Sequence, residues 1–151
     1  MQEIEKKLCV LSDMAHVLNE AHVTWAVGAS ALLYLKGRAA TFGDIDLMAA
    51  EEDAGKIKAL LSQMGRLLPD NPDARYQTRH FMEFVIDGVE VDVMAGLVIV
   101  SDGQAHECPF GQAQIAEYVQ LHGEKIPLQF MSDWKRYYTL MGRTAKAEMM
   151  D

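Results

Sequence analysis

The chain is poor in the features that would take it out of the ordinary globular class. It has 151 residues but only two cysteines, Cys9 and Cys108. They lie far apart in sequence, which argues against a disulfide framework and leaves stability to apolar packing. No apolar run approaches the roughly 20 residues needed to span a bilayer, so no membrane attachment is expected. The opening Met1-Gln2-Glu3-Ile4-Glu5-Lys6-Lys7 lacks the basic start, apolar stretch and cleavage site of a secretory signal, and a cytoplasmic location is expected. Positive charge is scarce, with 14 Lys and Arg against 22 Asp and Glu, a net charge of −8. That balance disfavours broad nucleic-acid binding, which depends on neutralising phosphates. It leaves room for a local basic groove or a cationic small substrate. With no internal repeat, low-complexity tract or linker, a single domain over residues 1–151 is expected.

Apolar spacing and breakers divide the chain. Ile4, Leu8, Leu11, Ala15 and Leu18 recur at helical spacing over residues 2–20, with His16 and His22 on this helix and at its exit. Trp25-Ala26-Val27 reads as a strand ending at Gly28, and Ser30 to Lys36 as a helix closed by Gly37. A strand over Ile45–Ala49 follows. Glu51-Glu52-Asp53 opens a helix that runs to about Met64 and stops at Gly65. Pro69-Asp70-Asn71-Pro72-Asp73 is a loop. Thr78 to Ile86 and Val89 to Met94 form two strands joined by the hairpin turn Asp87-Gly88. Leu97–Val100 is a further strand or a bulged extension, and 101–114 is loop-like. Ile115–Val119 and Lys125–Leu128 are short strands around His122-Gly123. A last long helix starts at a Ser132 cap and runs to Met141, and Gly142 breaks it from a short terminal helix.

The chemistry concentrates in two motifs. Gly28-Ala29-Ser30 is a small turn before a helix, where free N–H groups and the positive dipole end favour a phosphate. Gly28 permits close approach, and Ser30 adds a hydroxyl. Asp44-Ile45-Asp46 then begins an apolar strand. Residues two apart share a strand face, so the two carboxylates project together. At about 5 Å they repel by roughly 3 kcal/mol at an effective dielectric of 20, which a divalent cation between them would remove. In Val91-Asp92-Val93 the strict alternation puts Asp92, with Glu90 and Met94, opposite the valines. If that strand lies beside the first, three carboxylates converge, a hard-oxygen set suited to Mg²⁺ or Mn²⁺.

The order of apolar strand, Gly28-Ala29-Ser30, helix, Asp44-Ile45-Asp46 and later Val91-Asp92-Val93 resembles the DNA polymerase β-like nucleotidyltransferases. Small bacterial members of that superfamily modify antibiotics or belong to abortive-infection and toxin–antitoxin systems. The resemblance covers residues 20–100 best. It extends to the tail through Ile126-Pro127-Leu128, Asp133-Trp134 and Gly142-Arg143. There a lysine often stands a few residues before the Gly-Arg, and Tyr138 takes its place. The resemblance implies an α+β fold: a mixed β-sheet flanked by helices, with C-terminal helices in an extension over 101–151. It also implies that Gly28 and Ser30 contact the nucleotide phosphates, and that Asp44, Asp46 and Asp92 are the catalytic, metal-binding carboxylates. The implied reaction moves a nucleoside monophosphate from an NTP to a hydroxyl of a small molecule, a protein or an RNA end, and releases pyrophosphate.

Other residues stay open between site and surface. Arg38 and Thr41 precede the acidic pair at a stretched spacing, as loop or substrate-contacting residues. Arg75, Arg79 and His80 lie near the hairpin, within reach of a triphosphate or simply solvated. Glu90 shares the face of Asp92. His106-Glu107-Cys108 has metal-ligand chemistry but no second ligand pair. Met141, Met149 and Met150 suit packing or a partner surface. The short chain after residue 100 leaves little room for an acceptor domain. A homodimer or a partner protein would then complete the site, and the alternative function is a non-catalytic nucleotide-binding or interaction module, one half of a two-component system.

Overall fold

The computed structural model describes residues 2–70 and 76–151. The N-terminal apolar stripe forms α1 (Glu3–Glu20), which buries Val10, Leu11, Met14, Ala15 and Leu18. Next come β1 (Trp25–Gly28), α2 (Ala29–Leu35) and β2 (Ile45–Ala49). Glu51–Asp53 forms a single 3₁₀ turn ahead of α3 (Ala54–Ser62), so the helix begins later than its acidic start suggests. Asp53 is spent elsewhere: its carboxylate accepts the Thr24 N–H at 2.8 Å and ties this turn to the entry of β1. A two-residue strand, β3 (Arg66–Leu67), then pairs with β4 (His80–Ile86), which returns as β5 (Val89–Ala95). The remaining elements are β6 (Leu97–Ser101), β7 (Gln104–Cys108), β8 (Ile115–Leu121), β9 (Glu124–Gln129), α4 (Met131–Leu140) and α5 (Thr144–Met149).

Seven strands form one mixed sheet in the order β3-β4-β5-β2-β1-β9-β8. The pairs β2–β5 and β1–β9 are parallel and the rest antiparallel. Register puts Trp25, Val27, Leu47, Ala49, Val91, Val93, Met82 and Phe84 on one face, against α1 and α3. Trp25, Leu47, Phe84, Leu11, Met14, Leu18 and Ile57 are all fully buried there. Each such side chain stabilises the fold by about 1.5–3 kcal/mol, so this face alone outweighs the repulsion of a carboxylate pair on the other.

The structure corrects several boundaries. Residues 101–114 are not all loop: β7 pairs with β6 in a separate two-stranded sheet. Asp102 and Gly103, with φ of 52° and 75°, make the same kind of turn as Asp87 and Gly88 at 49° and 78°. Leu97–Val100 is therefore a strand of its own, parted from β5 at Gly96, whose φ is 65°. Thr78 lies outside β4. Its hydroxyl oxygen accepts the Val98 N–H at 3.2 Å and holds the approach to that strand. No side chain caps α4. Phe130 stands at its cap position, and Ser132 falls within the first turn. Of the loop read at 69–73, residues 71–73 lie outside the described residues, as does Arg75. Cys9 and Cys108 are free thiols. Among the described residues no helix is long and apolar enough to cross a membrane.

Candidate active site

On the sheet face away from α1, ladder register sets Gly28, Asp46, Asp92 and Glu83 side by side across β1, β2, β5 and β4. Adjacent strands lie about 4.8 Å apart, so this is one row of three carboxylates beginning at a glycine. Asp46, Asp92 and Glu83 are half-buried. Asp46 and Asp92 are direct partners in the parallel β2–β5 ladder, so their carboxyl groups stand next to each other on this face. Burial first, and then the charges of Asp92 and Asp44, push Asp46 well above the usual carboxylate range, against an opposing pull from Arg143. Burial and the charges of Asp44, Glu83 and Glu90 push Asp92 up to about 7. Asp44 stands exposed just before β2, close enough to Glu90 that their interaction raises the Glu90 carboxyl.

Two of the three expected carboxylates are thus ladder neighbours, and the charge of the third, Asp44, acts on both. Among the described residues no three His, Cys, Asp or Glu side chains are gathered tightly enough to hold a metal ion as they stand. The donors themselves suit one. They are all hard oxygens, and burial together with one another's charge raises the carboxyls of Asp46 and Asp92, a cost that a hard cation between them would offset.

The turn beside the row is built from close contacts. Gly28 is extended, with φ −130° and ψ −168°, a conformation open to any residue. Its need is space. A Cβ there would stand 2.2 Å from Trp134 Nε1, so the close approach at Gly28 is made by an indole. Ala29 is left-handed, with φ of 52°, a strained conformation for a residue with a Cβ. It swings the chain from strand to helix within one residue. Ser30 Oγ accepts the Gly43 N–H at 3.2 Å, and Lys7 donates to the Phe42 carbonyl at 2.7 Å. These two bonds fix the loop that delivers Asp44.

The wall over Gly28 comes from α4. Gln129, at the end of β9, is 1% exposed. Its Oε1 accepts the Trp134 indole N–H at 2.8 Å, and its Nε2 donates to the Tyr137 hydroxyl at 3.0 Å. Gln129→Leu keeps the volume but leaves a buried indole N–H without a partner, at a cost of about 1–3 kcal/mol. Thermal unfolding should fall by roughly 2–12 °C at 2–4 °C per kcal/mol. A melting temperature within a degree of wild type would rule out this bond as a structural tie. Tyr138, one residue on, is buried against Trp134 with ring centroids 5.4 Å apart. Burial, with the Asp46 charge second, pushes its phenol up to about 12.

The remaining expected residues are placed elsewhere. Arg79 donates to Glu51 at 2.9 Å and pairs with Glu107. It adjoins the His80–Ala95 pair, three ladder positions beyond Asp92, or about 10 Å along the strands. His80, with Lys58, Thr78 and Met82, lines a cavity of about 510 Å³ beside α3. Arg38 is exposed and donates to a main-chain oxygen of Asp151, and Thr41 is exposed on the loop. His106 and Cys108 sit on β7, where Cys108 is buried and accepts from Arg136 at 3.7 Å. Sequence reading passed over Glu83, although the Asp87-Gly88 turn already sets it opposite Asp92. It noted Trp134, Tyr138 and Arg143 but gave them no role.

No family profile and no curated protein sequence matches the chain; the likeness is to solved structures. A provisionally assigned nucleotidyltransferase of Thermotoga maritima is 27% identical, with a TM-score of 0.76 over 99% of this chain and 92% of that one. ANT(2″)-Ia, solved with adenylyl-2″-tobramycin, is 12% identical, with a TM-score of 0.63 over 96% of this chain and 87% of that one. The lincosamide antibiotic adenylyltransferase LnuA, solved with lincomycin bound, is 13% identical, with a TM-score of 0.60 over 97% and 98%. The chain has the α+β fold these nucleotidyltransferases share, and the Thermotoga maritima protein, at 27% identity, supports nucleotidyl transfer as its general activity.

Proposed function

We propose that the chain transfers a nucleoside monophosphate from an NTP to a hydroxyl-bearing acceptor in a metal-dependent reaction, with Asp46 and Asp92 at its centre. The supporting observation is the ladder row Gly28–Asp46–Asp92, which joins the Gly28-Ala29-Ser30 turn to a pair of adjacent, half-buried carboxylates. Asp46 and Asp92 would hold Mg²⁺ or Mn²⁺, with Asp44 as the adjoining carboxylate. The ion would polarise the transferred phosphate and lower the cost of ionising the acceptor hydroxyl.

The chain's own groups do the rest. Ser30 and the first free N–H groups of α2 seat the phosphates. The acceptor oxygen bonds to the α-phosphorus as the bond to pyrophosphate breaks. Asp92, toward the outer side of the row, accepts the hydroxyl's hydrogen bond and can take up its proton. Its neighbours Glu83 and Glu90 make that side acidic, which suits a neutral or cationic acceptor better than an anionic one.

The test is pyrophosphate release from each of the four NTPs, with and without hydroxyl acceptors. Release should require both acceptor and Mg²⁺ or Mn²⁺, and should stop on chelation. Equal turnover without acceptor would make the chain a phosphohydrolase. NTP binding without any turnover would favour the non-catalytic module.

A further inference from the structure

We propose that Arg143 grips the polyphosphate of the incoming nucleotide, held over the carboxylates by the ring of Tyr138. This rests on the nucleotidyl-transfer reading of the site. The local sequence explains how an arginine beyond the end of α4 comes back to the sheet. Gly142 is left-handed, with φ of 76°. The Gly142 N–H donates to the Thr139 carbonyl at 3.1 Å and the Arg143 N–H to the Tyr138 carbonyl at 2.8 Å. That closure reverses the chain at the helix end and turns Arg143 over the preceding turn. Its guanidinium carbon lies 5.3 Å from the centroid of the Tyr138 ring, within cation–π range. Tyr138 packs on Trp134, and Trp134 fills the face of Gly28. A continuous line of contacts therefore fixes the guanidinium relative to the turn at Ser30.

Arg143 is exposed, and among the described residues it makes no ion pair. Its charge nevertheless acts on Asp46. Arg79, Lys36 and Lys135, by contrast, are engaged with carboxylates of their own: Arg79 with Glu51 and Glu107, Lys36 with Glu117 and Lys135 with Asp151. A triphosphate approaching a row of carboxylates meets repulsion, and a guanidinium with donors to spare offsets it at short range.

The experiment measures binding rather than turnover. The four nucleoside triphosphates are titrated calorimetrically in Mg²⁺ buffer, followed by the monophosphate of whichever binds. Arg143→Gln should weaken the triphosphate about 10- to 100-fold, the share of a charged hydrogen-bond partner, and the monophosphate by less than about threefold. Arg143→Lys should recover part of the loss, since a point charge remains but the fork does not. Tyr138→Phe, which keeps the ring, should bind like wild type. Tyr138→Met should weaken the triphosphate as Arg143→Gln does, and the two together should be no worse than Arg143→Gln alone. If Arg143→Gln binds the triphosphate like wild type, or loses both nucleotides equally, the assignment is overturned and the nucleotide reading stands. If the wild type binds no triphosphate, both fall.

Discussion

Gly28→Ala should cost the fold about 3–5 kcal/mol, on the scale of losing a buried tryptophan from a core, and lower thermal unfolding by roughly 6–20 °C. A new Cβ at 2.2 Å from Trp134 Nε1 and 2.4–2.5 Å from two further indole carbons leaves the ring no position it can keep. The indole is fixed through that same Nε1 by Gln129 and flanked by Tyr137 and Tyr138, with ring centroids 5.1 and 5.4 Å away. It cannot yield by a rotamer change without losing its hydrogen bond. Backbone strain is not the cause, because φ −130° and ψ −168° suit any residue. Trp134→Leu separates the two explanations. On that background Gly28→Ala should cost less than about 1 kcal/mol, a strong non-additivity in a double-mutant cycle. An equal penalty on both backgrounds would place the demand for glycine in the backbone, and a near-wild-type single variant would remove the steric argument.

That contact also marks where sequence reading reaches its limit. The Asp87-Gly88 turn is local, and once its type is recognised it pairs Ile86 with Val89 and hence Glu83 with Asp92. Alternation then assigns the faces, so half of the carboxylate row follows from a two-residue signal. The parallel pairing of β2 with β5, which sets Asp46 against Asp92, has no local signal and entered the sequence reading only as a condition, to which the resemblance then added weight. The docking of α4 on Gly28 is likewise a packing outcome between residues 106 apart in sequence (134 − 28). A small residue before a helix reads as a phosphate turn, and nothing nearby reveals the indole. The hairpin of β6 and β7 was missed for another reason. Gln-Ala-His-Glu-Cys has no β-branched residue, so its turn signal at Asp102-Gly103 stood without the strand composition that usually accompanies it. Arg79 was legible as a cation but not as one already held by Glu51 and Glu107.

Asp92→Asn should move activity and stability in opposite directions. In the metal-free protein Asp92 is half-buried beside Asp46 and under the charges of Asp44, Glu83 and Glu90, and its carboxyl is pushed up to about 7. An amide of the same shape removes one charge from the row and still donates a hydrogen bond to Asp46. After discounting for solvent screening, that should stabilise the metal-free fold by about 1–3 kcal/mol, or several degrees in thermal unfolding near pH 7.5. Nucleotidyl transfer should fall by at least about 10³-fold, the scale on which a group facing transition-state charge is missed. Mg²⁺ or Mn²⁺ should raise the melting temperature of the wild type, because an ion that binds only the folded state stabilises it by mass action, and should leave that of Asp92→Asn nearly unchanged. A fold built only for stability would not keep three carboxylates in one row when an isosteric amide relieves the repulsion. If Asp92→Asn instead melts below the wild type without metal, the row is a hydrogen-bonded structural element. If it keeps its activity, the centre of the reaction lies elsewhere.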